Sequence, residues 1–152
     1  VRFKPPPRNR LMEPADSAKY QAVRAVTLQF TAVWSRGEID LVPEIYAEDF
    51  VAHFPAGIIR GHEGIKELVM HHRRAFPDWT ETIEDLIYES NKIAVRFTST
   101  GTNTGPNMGK PPTHRAVEIS ELAIYRIDDG RIAEQWVQPD TQSLHRQLYG
   151  DG

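Results

Sequence analysis

Halfway along this chain the spacing of apolar residues changes period, and that change decides what the chain can fold into. Up to residue 76 apolar side chains recur every three or four positions; from residue 79 they alternate. The first spacing lays one stripe along a helix, and the second gives a strand one apolar face. Ala18, Ala22, Ala25, Val26, Leu28, Phe30, Val33 and Trp34 mark a first helix, with Gly37 as its stop. Ile39, Val42, Ile45 and Tyr46 mark a short second helix, and residues 64–76 a third, with Ile65, Leu68, Val69 and His72 on one face. A brief strand is expected at 50–54 and a loop at 55–61. Residues 79–88, 92–102, 116–127 and 131–137 read as long strands. Asp128, Asp129 and Gly130 suit a tight turn between the last two, because Gly takes positive φ freely and Asp tolerates it. A Gly/Pro loop at 105–113 is expected on a rim, and a closing helix at 141–148. Helices followed by antiparallel strands describe an α+β domain.

The length of 152 residues suits one domain, here 14–152, preceded by a proline-rich basic stretch at 1–13. That stretch reads as an extended arm, either free or laid on a partner subunit. The net charge of −3 offers no basic face for nucleic acid or for an anionic membrane. No apolar run approaches the ~18 residues of a membrane span, so a cytoplasmic protein is expected. With no cysteine, disulfides, thiolate nucleophiles and thiolate metal sites drop out. No histidine pair at helical i, i+4 spacing joins a third ligand, so no metal is expected. His71 and His72 are adjacent and diverge by ~100° on a helix. His62 reads as part of a helix start, His114 as a rim group, and His145 as a surface group. The phosphate-binding patterns GxxxxGK[ST] and GxGxxG are missing, and so is the GxSxG elbow.

Several runs in order carry a family resemblance: FVAHFP at 50–55, GHEGI at 61–65, FPDW at 76–79 and VRFTSTGTNTG at 95–105. PPT at 111–113, IYRIDDGRI at 124–132, EQW at 134–136, PD at 139–140 and RQL at 146–148 continue it. Together they resemble the SnoaL-like polyketide cyclases of the nuclear-transport-factor-2-like (NTF2-like) superfamily, over roughly residues 17–150. The resemblance implies a cone: a curved antiparallel sheet around N-terminal helices, with a deep pocket. It also implies a homodimer through the outer sheet face, and no metal or organic cofactor. The superfamily hosts cyclases, isomerases, dehydratases, epoxide hydrolases and binders without chemistry, so individual residues must decide.

In the aldol cyclases of the family an acid on the last strand moves a proton from carbon, helped by a histidine and a glutamine on the preceding strand. Aligned on Gly130, those positions fall on Val137, Ala123 and Glu121. Valine cannot take a proton, so that mechanism does not transfer unchanged. Glu121 shares a strand face with Ile119 and Ala123. Inside an apolar pocket its carboxyl would be held neutral to higher pH, which suits a general acid or base. On a bulged strand it would instead be solvated, or paired with Arg96 or Arg115. His53 is the candidate polar partner, with a core histidine bonded to backbone as the plain alternative. Trp79, Phe97, Gln135, Trp136 and Val137 are the candidate substrate-binding residues, and Tyr125 a further aromatic near the cavity or core. By alternation Gln135 shares Val137's face. Asp140 reads as the N-cap of the last helix. The resulting expectation is proton transfer on a lipophilic or cyclic substrate (isomerisation, cyclisation, dehydration or epoxide opening). The alternative is a non-catalytic protein that binds a small apolar ligand.

Overall fold

A computed structural model describes residues 14–151; the proline-rich stretch lies outside them. The first helix, α1 (Pro14–Leu28), continues as a π-helical stretch at Gln29–Trp34. Gln29, Phe30, Ala32, Val33 and Trp34 of this stretch are all buried, because sheet and helices enclose it. A 3₁₀ turn (Ile39–Leu41) leads into the one-turn α2 (Val42–Ile45). Tyr46, assigned by spacing to that helix, is instead the first residue of β1 (Tyr46–Phe54). The stretch expected as loop folds back as β2 (Gly57–Arg60), and α3 (Gly61–Ala75) follows. The long strands are β3 (Thr80–Glu89), β4 (Lys92–Thr102), β5 (Ala116–Asp128) and β6 (Arg131–Pro139), closed by α4 (Thr141–Tyr149).

The six strands form one sheet in the order β2-β1-β6-β5-β4-β3. All neighbours are antiparallel except β1 and β6, which run parallel, a pairing that period alone does not specify. The turn after β5 forms as expected, with Asp129 at φ 49° and Gly130 at φ 72°. The sheet is curved, and its concave face wraps the first helix and its π-helical end. Phe30 packs edge-on against Phe97 at 4.7 Å and Tyr125 at 6.0 Å between ring centroids. Alternation along β5 points Val117, Ile119, Glu121, Ala123 and Tyr125 inward, each at 8% exposure or less. The convex face leaves Ile87, Leu122 and Ile124 exposed.

Two polar side chains fasten this frame. The Arg73 guanidinium on α3 donates to the carbonyl oxygens of Trp34 (2.7 Å), Trp79 (3.0 Å) and Pro77 (2.7 Å). Asn103, fully buried, anchors the loop after β4. Its amide nitrogen donates to the carbonyls of Ala75 (3.2 Å) and Gly105 (2.9 Å), and its oxygen accepts from the Thr113 backbone (2.8 Å). Buried amides satisfied on both atoms hold irregular backbone in place as a ladder would.

Candidate functional site

Between the concave face and the helices lies a cavity of about 230 Å³, open toward α4. Its walls carry five of the expected residues: Trp79, Phe97, Glu121, Gln135 and Val137, together with Tyr125. Phe54, Ala56, Pro139, Thr141 and Leu144 line both this cavity and an outer groove of about 640 Å³, so the two adjoin. Asp140 caps α4 as expected, its carboxylate accepting from the Ser143 backbone at 3.0 Å.

Glu121 faces the cavity and is 8% exposed. β5 runs unbulged from Ala116 to Arg126, so alternation holds through position 121. Its partner is the Ser99 hydroxyl, which donates to Oε2. Neither arginine weighed as its partner meets it: Arg96 pairs with Asp85 at 2.6 Å, and Arg115 is exposed. Burial raises the Glu121 pKa from an ordinary 4.5 to about 7, opposed by the Ser99 hydrogen bond.

His53 and Trp136 do not line the cavity, which corrects the expectation for both. Phe50 and Ala52 take the buried face of β1, so His53 points out, and Trp136 alternates outward between Gln135 and Val137. The two rings stack on the convex face at 5.5 Å, and His53 Nε2 meets Glu134 Oε2 at 2.7 Å. That contact, chiefly, holds the Glu134 carboxyl below its ordinary value. His62 bonds the Tyr46 carbonyl at 2.8 Å, while His114 and His145 are exposed.

Sequence reasoning missed two groups on the cavity wall. Glu81 on β3 lies directly across from Ser99, and Trp79 Nε1 donates to its Oε1 at 3.1 Å. Burial, and then the nearby Glu121, raise its pKa well above the carboxylate range. The signal was present as Trp79, Glu81 and Ile83 at every second position, but two threonines and two further acids mask it. His72 was read onto the apolar face of α3 and not into the site. Its ring packs edge-on to Trp79 at 4.2 Å, and burial lowers its pKa to about 4, so it is neutral at physiological pH. Among the described residues, His72 Nε2 and Gln135 Oε1 have no hydrogen-bond partner. Deeper in, Tyr46 donates to Gln29 at 3.0 Å and Gln29 donates to Tyr125 at 3.2 Å, which satisfies that cluster internally.

The Glu121 shift makes stability pH-dependent. Below 4.5 the carboxyl is protonated in both folded and unfolded chains and contributes nothing. As pH rises toward 7 only the unfolded chain ionises, so folding stability falls; above 7 this slope ends. Glu121→Gln removes the effect. Its stability gain over wild type is expected to be about 2–3 kcal/mol larger at about pH 8 than at about pH 5, by urea melts. An equal difference at both pH values would show that Glu121 ionises normally.

Among the described residues no group of three or more His, Asp or Glu is placed to hold a metal, and no helix is long and apolar enough to cross a membrane. The family model for SnoaL-like polyketide cyclases matches residues 24–148. A solved protein from Jannaschia sp. CCS1, assigned to the SnoaL-like polyketide cyclases, superposes with a TM-score of 0.81 at 20% identity, covering 95% of this chain and 99% of that one. At that identity the likeness establishes the fold. One from Bacillus cereus, assigned as a polyketide cyclase, superposes at 0.77 with 26% identity, covering 100% and 97%. IdmH from Streptomyces antibioticus, also assigned as a polyketide cyclase, superposes at 0.73 with 28% identity, covering 84% and 98%. No curated protein matches the sequence significantly.

Proposed function

Because the chain belongs to the SnoaL-like polyketide cyclase family, we propose that it acts on a small lipophilic or cyclic molecule by general acid–base proton transfer at Glu121. One observation carries this reading: the Glu121 carboxyl lies buried in a cavity with apolar walls, and that burial pushes its pKa up to about 7. Such a group can both take and give a proton at neutral pH. Where the family's cyclases place their acid this chain has Val137, so the proton passes to Glu121, one strand away. Trp79, Phe97 and Val137 are the apolar walls for the ligand, and Gln135 offers it an unpaired amide oxygen. The chemistry needs no metal or organic cofactor. It belongs with isomerisation, cyclisation, dehydration or epoxide opening.

A thermal-shift screen of polyketide-like, terpenoid and steroid-like compounds tests the ligand class. A ligand at about 100 times its Kd stabilises the native state by about 2.7 kcal/mol, or about 5–10 °C in a chain of this size. If no such compound shifts the melting point, the proposed ligand class is wrong. Val137 speaks for a contrasting reading, a pocket that binds without chemistry. The proposal extends to a homodimer through the convex face, supported by exposed Ile87, Leu122 and Ile124. Leu122→Glu is expected to give monomers in sedimentation; an unchanged mass would reject that face.

A further inference from the structure

Two carboxyls, buried Glu121 and half-buried Glu81, share one cavity in this fold, and the proposed function uses only one of them. We infer that Glu81 is a second catalytic carboxyl, which protonates the oxygen of a bound ketone while Glu121 removes a proton from the adjacent carbon. This rests on the proposed role of Glu121 and adds a second proton carrier to the same site.

The sheet register sets the pair. Glu81 lies across from Ser99 on β4, and Glu121 lies across from Phe97, two residues along the same strand. The two carboxyls therefore flank Ser99 from opposite sides of β4, on the concave face. Trp79 Nε1 holds one oxygen of Glu81, and the Ser99 hydroxyl holds one oxygen of Glu121. Among the described residues the second oxygen of Glu81 has no hydrogen-bond partner. The surrounding groups supply no free cation. From α3, His72 is neutral and the Arg73 guanidinium is engaged by three carbonyls. Tyr125 lines the space from β5 and Tyr46 lies deeper on β1, both held neutral by burial. Two like charges in such surroundings do not ionise together, so the pair holds one proton at neutral pH. Glu81 keeps it, because its burial is compounded by the neighbouring Glu121. Gln135, 2% exposed with its oxygen unpaired, marks the same cavity independently as built for a polar ligand.

The step balances without a co-reactant. Glu121 takes the α-proton, the C–H electron pair becomes the enol double bond, and the carbonyl π pair moves to oxygen, which takes the proton of Glu81. The enol then either recovers a proton at carbon or attacks a second carbonyl in the same molecule. In the second case a C–C bond closes the ring, the enol O–H returns its proton to Glu81 as the carbonyl re-forms, and the new alkoxide takes its proton from Glu121. Reactant and product are isomers.

The α-protons of 2-tetralone, a bicyclic ketone, provide a probe that needs no natural substrate. Exchange in D₂O, followed by proton NMR, is expected to run faster with the wild type than in buffer, with a bell-shaped pH profile. Glu121→Gln lowers that rate by about 10²–10⁴-fold. Glu81→Gln lowers it by at least about 10-fold and leaves a single rising limb, while Glu81→Asp, which keeps a proton donor, retains the bell. Circular dichroism melts of each variant separate lost chemistry from lost fold. Wild-type rate and bell in Glu81→Gln, with exchange lost in Glu121→Gln, overturn this inference alone. Wild type no faster than buffer overturns the proton-transfer function, and this inference with it.

Discussion

In Glu121→Gln, turnover of the protein's own ligand is expected to fall by about 10²–10⁴-fold while folding and binding persist. Glutamine matches glutamate in shape, and its oxygen can still accept from Ser99. What disappears is the proton carrier. A neutral amide also sits more comfortably in this apolar cavity than a carboxylate, so the variant should melt no lower than wild type above neutral pH. Ligand binding, measured by the thermal shift, rests on the walls and should survive. Turnover at the wild-type level would remove Glu121 from the mechanism. If neither protein turns the ligand over, the binding-only reading stands.

Gly105→Ala is expected to lower stability by about 4 kcal/mol, which is about 10–15 °C in melting temperature for a chain of this size. A Cβ added there would lie 1.9 Å from the Arg74 carbonyl oxygen and 2.9 Å from its carbon. The obstacle is backbone at the end of α3, which cannot rotate aside as a side chain would. The loop cannot lift away cheaply either, because Thr104 and Gly105 both donate to the Ala75 carbonyl, at 3.1 and 3.2 Å. Asn103 bonds that carbonyl as well. Displacing the loop would break these bonds together and strand buried polar atoms. A melting point within about 3 °C of wild type would show that the helix end and loop separate freely.

Much of this was readable in the residues, for reasons that can be stated. Strands β4, β5 and β6 each keep one buried face over many residues, so alternation fixed their span and pointed Glu121 inward. The bulge after Arg126 lies beyond that position and does not disturb the count. His53 was expected in the cavity by resemblance and Trp136 by its aromatic size, whereas alternation with Phe50 and Ala52, and with Gln135 and Val137, implies the outward face for both. Glu81 escaped because β3 carries polar residues on both faces, and a bulge between Ile83 and Asp85 shifts its register. The parallel joining of β1 to β6 and the π-helical turn depend on contacts distant in sequence. Local spacing does not encode such contacts.

The Arg73 guanidinium divides the hollow into two unequal halves for the course of evolution. It ties down the backbone of Trp34 and Trp79, so a change on that side must carry the frame with it. Val137 lines the opposite wall from β6, and its apolar side chain ties down no backbone there. A lineage selecting for a new ligand can resize that wall one residue at a time, and leave untouched the side that keeps the protein folded.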